Sequence, residues 1–349
     1  MAQKDVGRLA AATADEINLA FRDIWGTDSN WKTVTGWGMC GRVISRASQR
    51  ILIGMPLSRD ETLLEISQHY AISMLVGGAI MNCFPPFLRR FTGPVIALRA
   101  RYYQARFVKK LTPMVEDRIR MWETGKSDVP DDFLQWMIPI LAKEGNEQID
   151  ATRIALRLDR EEILLGLREE CSRVMAKYGG LGTREAVDEL HRIDSTLRES
   201  MRVSDVAVTN VFRDVTEGEL DIGNNLRVGA GVRMVLPTQD VHLDPDNYTE
   251  PRRFDAFRFS RPFEEGKAKG EREIITKETL TFLPWGYGRH TCPGRWFVAQ
   301  TIKQALAHLI MNYDVELVGK SVRRRALLNT MVPPVEAKFR FSRRANVDI

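Results

Sequence analysis

Apolar residues recur every three or four positions through most of the first two hundred residues, and this spacing predicts helices over Asp15 to Ile24, Leu63 to Ile80, Val95 to Trp122 and Asp159 to Tyr178. In the last of these Ile163, Leu164, Leu167, Cys171 and Val174 share a face, and Gly179-Gly180 stops the run. Thr183 is placed to cap one further helix, whose Val187, Leu190, Ile193, Leu197 and Met201 form a single buried stripe. The character changes after Val203. Ala207 to Val215 and Leu226 to Leu236 are rich in β-branched residues, with breaks at Gly223 and from Gly229 to Gly231, which predicts short strands and turns. Asp240 to Leu283 has no period and is thick in Pro, Asp, Arg and Phe, the mark of an irregular section packed by its own side chains or used for function. A final helix follows Cys292-Pro293-Gly294, with Val298, Ile302, Ala305, Leu306 and Leu309 on one face. The fold class is therefore mainly α with small β-sheets (α+β), read as a single domain over 1–349 in which residues 1–203 are mostly helical, 204–291 hold strands and loops, and 292–318 form a helical segment.

Composition narrows the classes without choosing among them. With 44% hydrophobic and 28% charged residues in 349, the chain can bury a sizeable core, which excludes disordered and collagen-like readings. The four cysteines, Cys40, Cys83, Cys171 and Cys292, lie far apart with no CxxC or Cys/His pairing, which excludes zinc fingers and disulfide scaffolds. The net charge of +5 comes from Lys and Arg interspersed with acids, so no nucleic-acid partner is expected. Met1 to Ala11 has no apolar leader pattern, and the apolar run Tyr70 to Met81 is too short for the roughly 20 residues of a bilayer span, so a helix packed in the core is expected there, with a helix that grazes a membrane as the alternative. His69, His191, His242 and His308 have no metal-ligand spacing and read as surface or satisfied core histidines.

The chemistry concentrates in Phe282 to Ala299, FLPWGYGRHTCPGRWFVA. Gly286, Gly288 and Gly294 permit a tight loop and close approach of the backbone to a flat group. Pro293 suits the first turn of the following helix, which places the Cys292 sulfur at a helix amino terminus beside Arg289, His290 and Arg295. The helix dipole and those cations favour thiolate, and a thiolate so held is a metal ligand or a nucleophile.

The loop Trp285-x-x-Gly288-x-His290-x-Cys292-x-Gly294 resembles the haem-binding loop of the cytochrome P-450 family, Phe-x-x-Gly-x-Arg/His-x-Cys-x-Gly, in its fungal microsomal form, with Trp285 where Phe is usual. Two further segments resemble family motifs in the expected order. Glu199-Ser200-Met201-Arg202 matches a Glu-x-x-Arg helix, and Ala256-Phe257-Arg258-Phe259 supplies the arginine that completes a buried triad, with Ala256 in place of Pro. The resemblance implies a truncated cytochrome P-450 fold with heme b as cofactor and Cys292 as the axial iron ligand. It also implies that His290 meets a propionate, that Trp285, Gly288 and Gly294 shape the loop, and that Glu199, Arg202 and Arg258 form an ion-paired structural triad. Arg289, Arg295 and Lys303 would face an acidic NADPH-cytochrome P-450 reductase. The implied activity is that of a monooxygenase acting with molecular oxygen on an apolar small molecule in fungal secondary metabolism.

Two elements of the family pattern are missing. The amino-terminal anchor and the Trp-x-x-x-Arg segment have no match; relatives sit on the endoplasmic reticulum membrane, and this chain, with no anchor, is expected to be cytosolic or peripheral. The long distal helix that delivers protons during oxygen activation also has no match, because Ile154 to Leu158 resembles its start and Asp159 to Glu170 a point well beyond its end. This sets an alternative beside the monooxygenase: a catalytically inactive or non-haem-binding truncated relative.

Overall fold

The computed structural model describes residues 7–82, 84, 86–123, 132, 161–204, 207–268, 270–319, 325–327, 330–332 and 336–344. The amino-terminal elements are α1 (Ala10–Trp25), β1 (Lys32–Thr35), α2 (Gly36–Leu52), α3 (Glu61–Asn82), α4 (Pro86–Ile96) and α5 (Leu98–Glu123). After them come α6 (Glu161–Tyr178), α7 (Arg184–Asp188) and α8 (His191–Val203). Short strands and helical turns follow: β2 (Asn210–Asp214), β3 (Glu219–Asp221), β4 (Arg227–Gly229), β5 (Arg233–Leu236), α9 (Thr238–His242) and α10 (Arg261–Glu264). The chain ends in α11 (Arg295–Asn312), β6 (Tyr313–Val318), β7 (Arg325–Leu327), β8 (Thr330–Val332) and β9 (Lys338–Arg343). The mainly α class with small antiparallel sheets is the observed one: β1-β9-β6 form a three-stranded sheet, and β2-β5, β3-β4 and β7-β8 form hairpin-sized pairs.

The chain divides into two units, Met1–Ile193 with Trp296–Val322 and Pro334–Ile349, and Asp194–Arg295 with Arg323–Pro333. The first is organised by aromatic packing. Phe21 and Trp25 on α1, Tyr313 at the start of β6 and Phe341 on β9 meet at ring separations of 4.4–6.0 Å, and His308 of α11 stacks on Phe21. Gln304 Nε2 ties α11 to the Ala10 and Leu181 carbonyls, and Arg168 of α6 donates to the Ile310 carbonyl and to Asp314.

Three expectations are corrected here. The single stripe from Val187 to Met201 is divided between α7 and α8. Thr183 does cap α7, accepting from Ala186 N, but Glu189 is drawn to Arg173 and Lys177 of α6. Glu170 then accepts from the Arg192 and Ile193 amides, so α8 begins afresh with its first donors satisfied by a carboxylate. The run predicted as one helix from Val95 to Trp122 starts instead at Leu98, because Val95 and Ile96 end α4. The helix around Tyr70 to Met81 is not a core element throughout: α3 packs through Leu63, Leu64 and Ile66, while Ile72, Met74, Val76 and Ile80 are between 40% and 51% exposed. Its second half is apolar on more than one face. Among the described residues no helix is long and apolar enough to cross a membrane.

In the second unit the irregular section is ordered by hydrogen bonds to α8 rather than by strands. Asp194 accepts from Ile275 N, Ser195 Oγ accepts from Phe259 N, and Arg198 donates to the Ile274 and Lys277 carbonyls at 2.7 and 2.8 Å and to Glu273. The backbone groups of a long loop thus find fixed partners without a sheet.

Candidate functional site

Helix spacing puts Glu199 and Arg202 one turn apart, so both can turn to the same side of α8. Arg202 Nε and Nη2 donate to the two Glu199 oxygens at 2.7 and 2.9 Å, and Arg258 Nε lies 3.1 and 3.2 Å from the same oxygens. Asp255 N adds a fourth donor at 3.1 Å. Glu199 and Arg202 are buried, and the Arg202 guanidinium lies 4.6 Å from the centre of the Tyr248 ring. Arg258 also donates to the Thr249 and Arg253 carbonyls, so this one carboxylate joins α8 to the turn that carries Ala256. A buried charge needs such pairing, since removal from water costs several kcal/mol per ion.

The cysteine loop is built from the backbone outward. Cys292 N donates to the Trp285 carbonyl at 2.8 Å, closing the loop, and the buried Trp285 indole donates to the Ile275 carbonyl at 2.7 Å. Trp285 has a fixed polar partner here that the family's usual Phe would lack. Gly286 adopts φ +80°, and a Cβ there would come 3.2 Å from the His290 carbonyl oxygen, so the position requires glycine. Gly288 adopts φ +69° with open space where a side chain would stand. It begins the 3-10 turn Gly288–His290, whose carbonyl accepts from Thr291 N and Oγ1. Gly288, Arg289 and His290 are exposed; Cys292 and Gly294 are half-buried, and Cys292 forms no disulfide. Arg295 donates to the Cys292 carbonyl at 3.1 Å and sits 3.6 Å from Glu278, which also lies 3.3 Å from the Thr291 hydroxyl.

The structure therefore brings Glu199, Arg202 and Arg258 into one cluster, and Trp285, Gly286 and Cys292 into one closed loop. Arg289 and His290 stand on the exposed side of that loop. It does not leave Lys303 on a surface: that residue is 6% exposed, in α11, near the carboxylate of Glu170. The expectation that Lys303 faces a reductase is corrected accordingly. Arg295 is likewise partly offset by Glu278, which leaves Arg289 as the exposed arginine of the set. Cys171 is fully buried, and desolvation raises its thiol pKa well above the ordinary value, as expected of an inert cysteine. Cys83 and the proposed deletion point at Leu158-Asp159 lie outside the described residues.

Three partners of the site were not visible in the sequence. Glu278 holds Arg295, Arg198 lays its guanidinium 3.8 Å from the centre of the Phe282 ring, and His242 accepts a hydrogen bond from Leu283 N. All three sit in or against the aperiodic section, where no spacing rule applies. The sole signal was the density of charged residues in a stretch that nevertheless carries apolar ones.

The cytochrome P-450 family profile matches residues 154–341. The chain is 30% identical to cytochrome P-450 monooxygenase gloP of Glarea lozoyensis, over 96% of this chain and 70% of that protein. It is 29% identical to cytochrome P-450 monooxygenase htyF of Aspergillus rugulosus, over 95% of this chain and 55% of that protein. Its fold is similar to that of retinoic acid-bound cyanobacterial CYP120A1, with a TM-score of 0.69 at 15% identity, covering 97% of this chain and 75% of the other. The alignment to gloP runs to 382 positions but takes in 96% of the 349 residues of this chain, about 335, so that relative carries about 47 residues inside the matched span with no counterpart here. Motifs, fold and relatives converge: the chain belongs to the cytochrome P-450 family, enzymes whose cofactor is a haem bound through a cysteine thiolate.

Proposed function

We propose that this chain is a haem-thiolate monooxygenase that oxidises an apolar small molecule in fungal secondary metabolism, drawing electrons from NADPH-cytochrome P-450 reductase. In its simplest form R–H, O2, two electrons and two protons give R–OH and water. The observation that carries the reading is Cys292, a half-buried thiol on a loop closed by its own amide, with open space beside Gly288 and a buried, hydrogen-bonded indole at Trp285. Those residues fit a flat iron-bearing group. Cys292 would hold the iron through its thiolate, His290 would meet a propionate, Gly288 and Gly294 would let the backbone approach the group, and Trp285 would keep an aromatic side chain in the loop. The haem supplies the oxygen chemistry when bound. The chain's own contribution is geometric and electrostatic. The Cys292 carbonyl is held by Arg295, Trp285 is pinned by Ile275, and the Glu199 cluster fixes the segment leading to the loop. Arg289, exposed on the loop, offers positive charge to an acidic electron donor.

A second reading has its own support. The surplus of relative residues inside the matched span fits the loss of an internal segment, and a chain lacking the distal helix would be an inactive or haem-free relative. One experiment separates the two: the reduced, carbon monoxide-bound absorption spectrum of the purified chain beside Cys292→Ala, followed by oxygen consumption with reductase and NADPH. A strongly red-shifted Soret band that needs Cys292, together with oxygen uptake, is expected. The band without uptake selects the inactive relative, and absence of haem in a folded, monodisperse chain overturns the monooxygenase reading.

A further inference from the structure

His242 is fully buried at the end of α9 and belongs neither to the triad nor to the cysteine loop, yet it touches both. Its carbonyl oxygen accepts from Arg202 Nη1, the arginine already held by Glu199. Its ring nitrogen Nε2 accepts from the Leu283 amide at 2.9 Å, and the ring lies 5.8 Å from Phe282, the residue under the Arg198 guanidinium. Leu283 opens the loop. Its carbonyl accepts from Gly286 N at 3.0 Å, and two residues on the Trp285 carbonyl accepts from Cys292 N. A continuous set of hydrogen bonds therefore runs from Glu199 through Arg202, His242 and Leu283 to the peptide of Cys292.

We propose that His242 is a positioning residue for the thiolate: its unprotonated Nε2 fixes Leu283 and so sets where the Cys292 loop stands relative to the buried ion cluster. Leaving the buried Leu283 N–H without an acceptor costs more than the bond contributes when made, so the acceptor is the functional part of the side chain, not its bulk. Glutamine can offer an oxygen at similar reach, whereas methionine has similar size and only a weak acceptor.

The inference rests on the haem-thiolate reading, and its test keeps the two apart. Wild type, His242→Gln and His242→Met are loaded with haem, and the reduced carbon monoxide spectrum is recorded beside hydrogen exchange at the Leu283 amide. The Gln protein is expected to keep the red-shifted Soret band, and the Met protein to lose roughly tenfold in the ratio of red-shifted to unshifted band. A Met protein that matches wild type, or a Gln protein that falls as far as Met, overturns the proposal. Wild type that binds no haem counts against the haem-thiolate reading alone, and exchange in the haem-free proteins then decides. Leu283 should exchange slowly in wild type and Gln and at least roughly tenfold faster in Met; equal rates overturn the proposal. Should the Met protein not fold, Leu283 in wild type decides: exchange as fast as at the exposed Tyr287 overturns it.

Discussion

Helix α8 and the second half of α3 invert the usual distribution of polarity. From Asp194 to Ser200 every residue of α8 is at most 6% exposed, although Leu197 is the one apolar side chain among the seven. In α3 the large apolar side chains Ile72, Met74, Val76 and Ile80 are at least 40% exposed. Hydropathy alone would place these segments the other way round. The difference lies in partners: Asp194, Ser195, Arg198 and Glu199 each meet a fixed backbone or ionic group, so burial leaves little unpaired polarity. The exposed α3 side chains have no such directional requirement, and their burial waits on a surface to pack against.

The sharpest way to break that comparison is to remove one partner in α8. Glu199→Gln leaves the Arg202 and Arg258 guanidiniums without their shared countercharge, and the expected loss is about 3–5 kcal/mol in denaturant unfolding. A loss under about 1 kcal/mol would show that the cluster is solvated and that pairing does not explain the burial of α8. Arg202→Lys should recover little, because a point charge cannot reproduce the two-point contact with the carboxylate.

His308 tests the opposite case, a polar group buried without pairing. It stacks on Phe21, and its Nε2 has no hydrogen-bond partner among the described residues. Burial, aided by the charge of Arg343, pushes its pKa down from 6.5 to about 4. The folded state therefore binds fewer protons than the unfolded state between those values. The stabilisation is complete above pH 6.5 and is lost as pH falls through about 4, to a limit of about 3 kcal/mol. His308→Phe should flatten that slope in urea midpoints taken from pH 7.5 down to 4. An unchanged slope would mean that other groups carry the acid sensitivity.

The sequence carried those elements of the site that obey a spacing and missed those that do not. The Cys292 loop was legible because glycine, cation and thiol stand at fixed offsets, and Glu199 with Arg202 because both lie on one helix turn. The aperiodic stretch from Asp240 to Leu283 hid its contribution, since His242, Arg198 and Glu278 reach their partners across 41, 76 and 17 positions, respectively to Leu283, Ile274 and Arg295. Lys303 misled for a related reason: a cation on a helix after a basic loop looks solvent-facing until Glu170 is placed beside that helix. The break before α8 was equally hidden, because apolar periodicity continues through Glu189 and Leu190 while the capping carboxylate comes from α6.

Trp285 measures a single satisfied polar atom inside an apolar floor. Trp285→Phe restores the residue usual in the family but removes the donor to the Ile275 carbonyl and a portion of the buried ring. The expected loss is about 2 kcal/mol, from one unpaired acceptor and a small void. A stabilised Phe protein would show that the indole bond is incidental to the loop.

The smallest expected effect is the one that tests α3. If the exposure of Ile72, Met74, Val76 and Ile80 describes the chain in solution, Ile72→Ser and Val76→Ser each cost no more than about 1 kcal/mol, because some two-fifths of each residue's surface stays in water on folding. A loss near 2 kcal/mol at both positions would mean that the face is covered in solution. Concentration dependence of that loss then assigns the cover. A loss that grows with protein concentration points to a second copy of the chain, since association stabilises by mass action, and one that does not points to residues of the same chain. Either result leaves the buried stretch from Asp194 to Ser200 untouched, because its partners Ile275, Ile274 and Lys277 are named within the second unit.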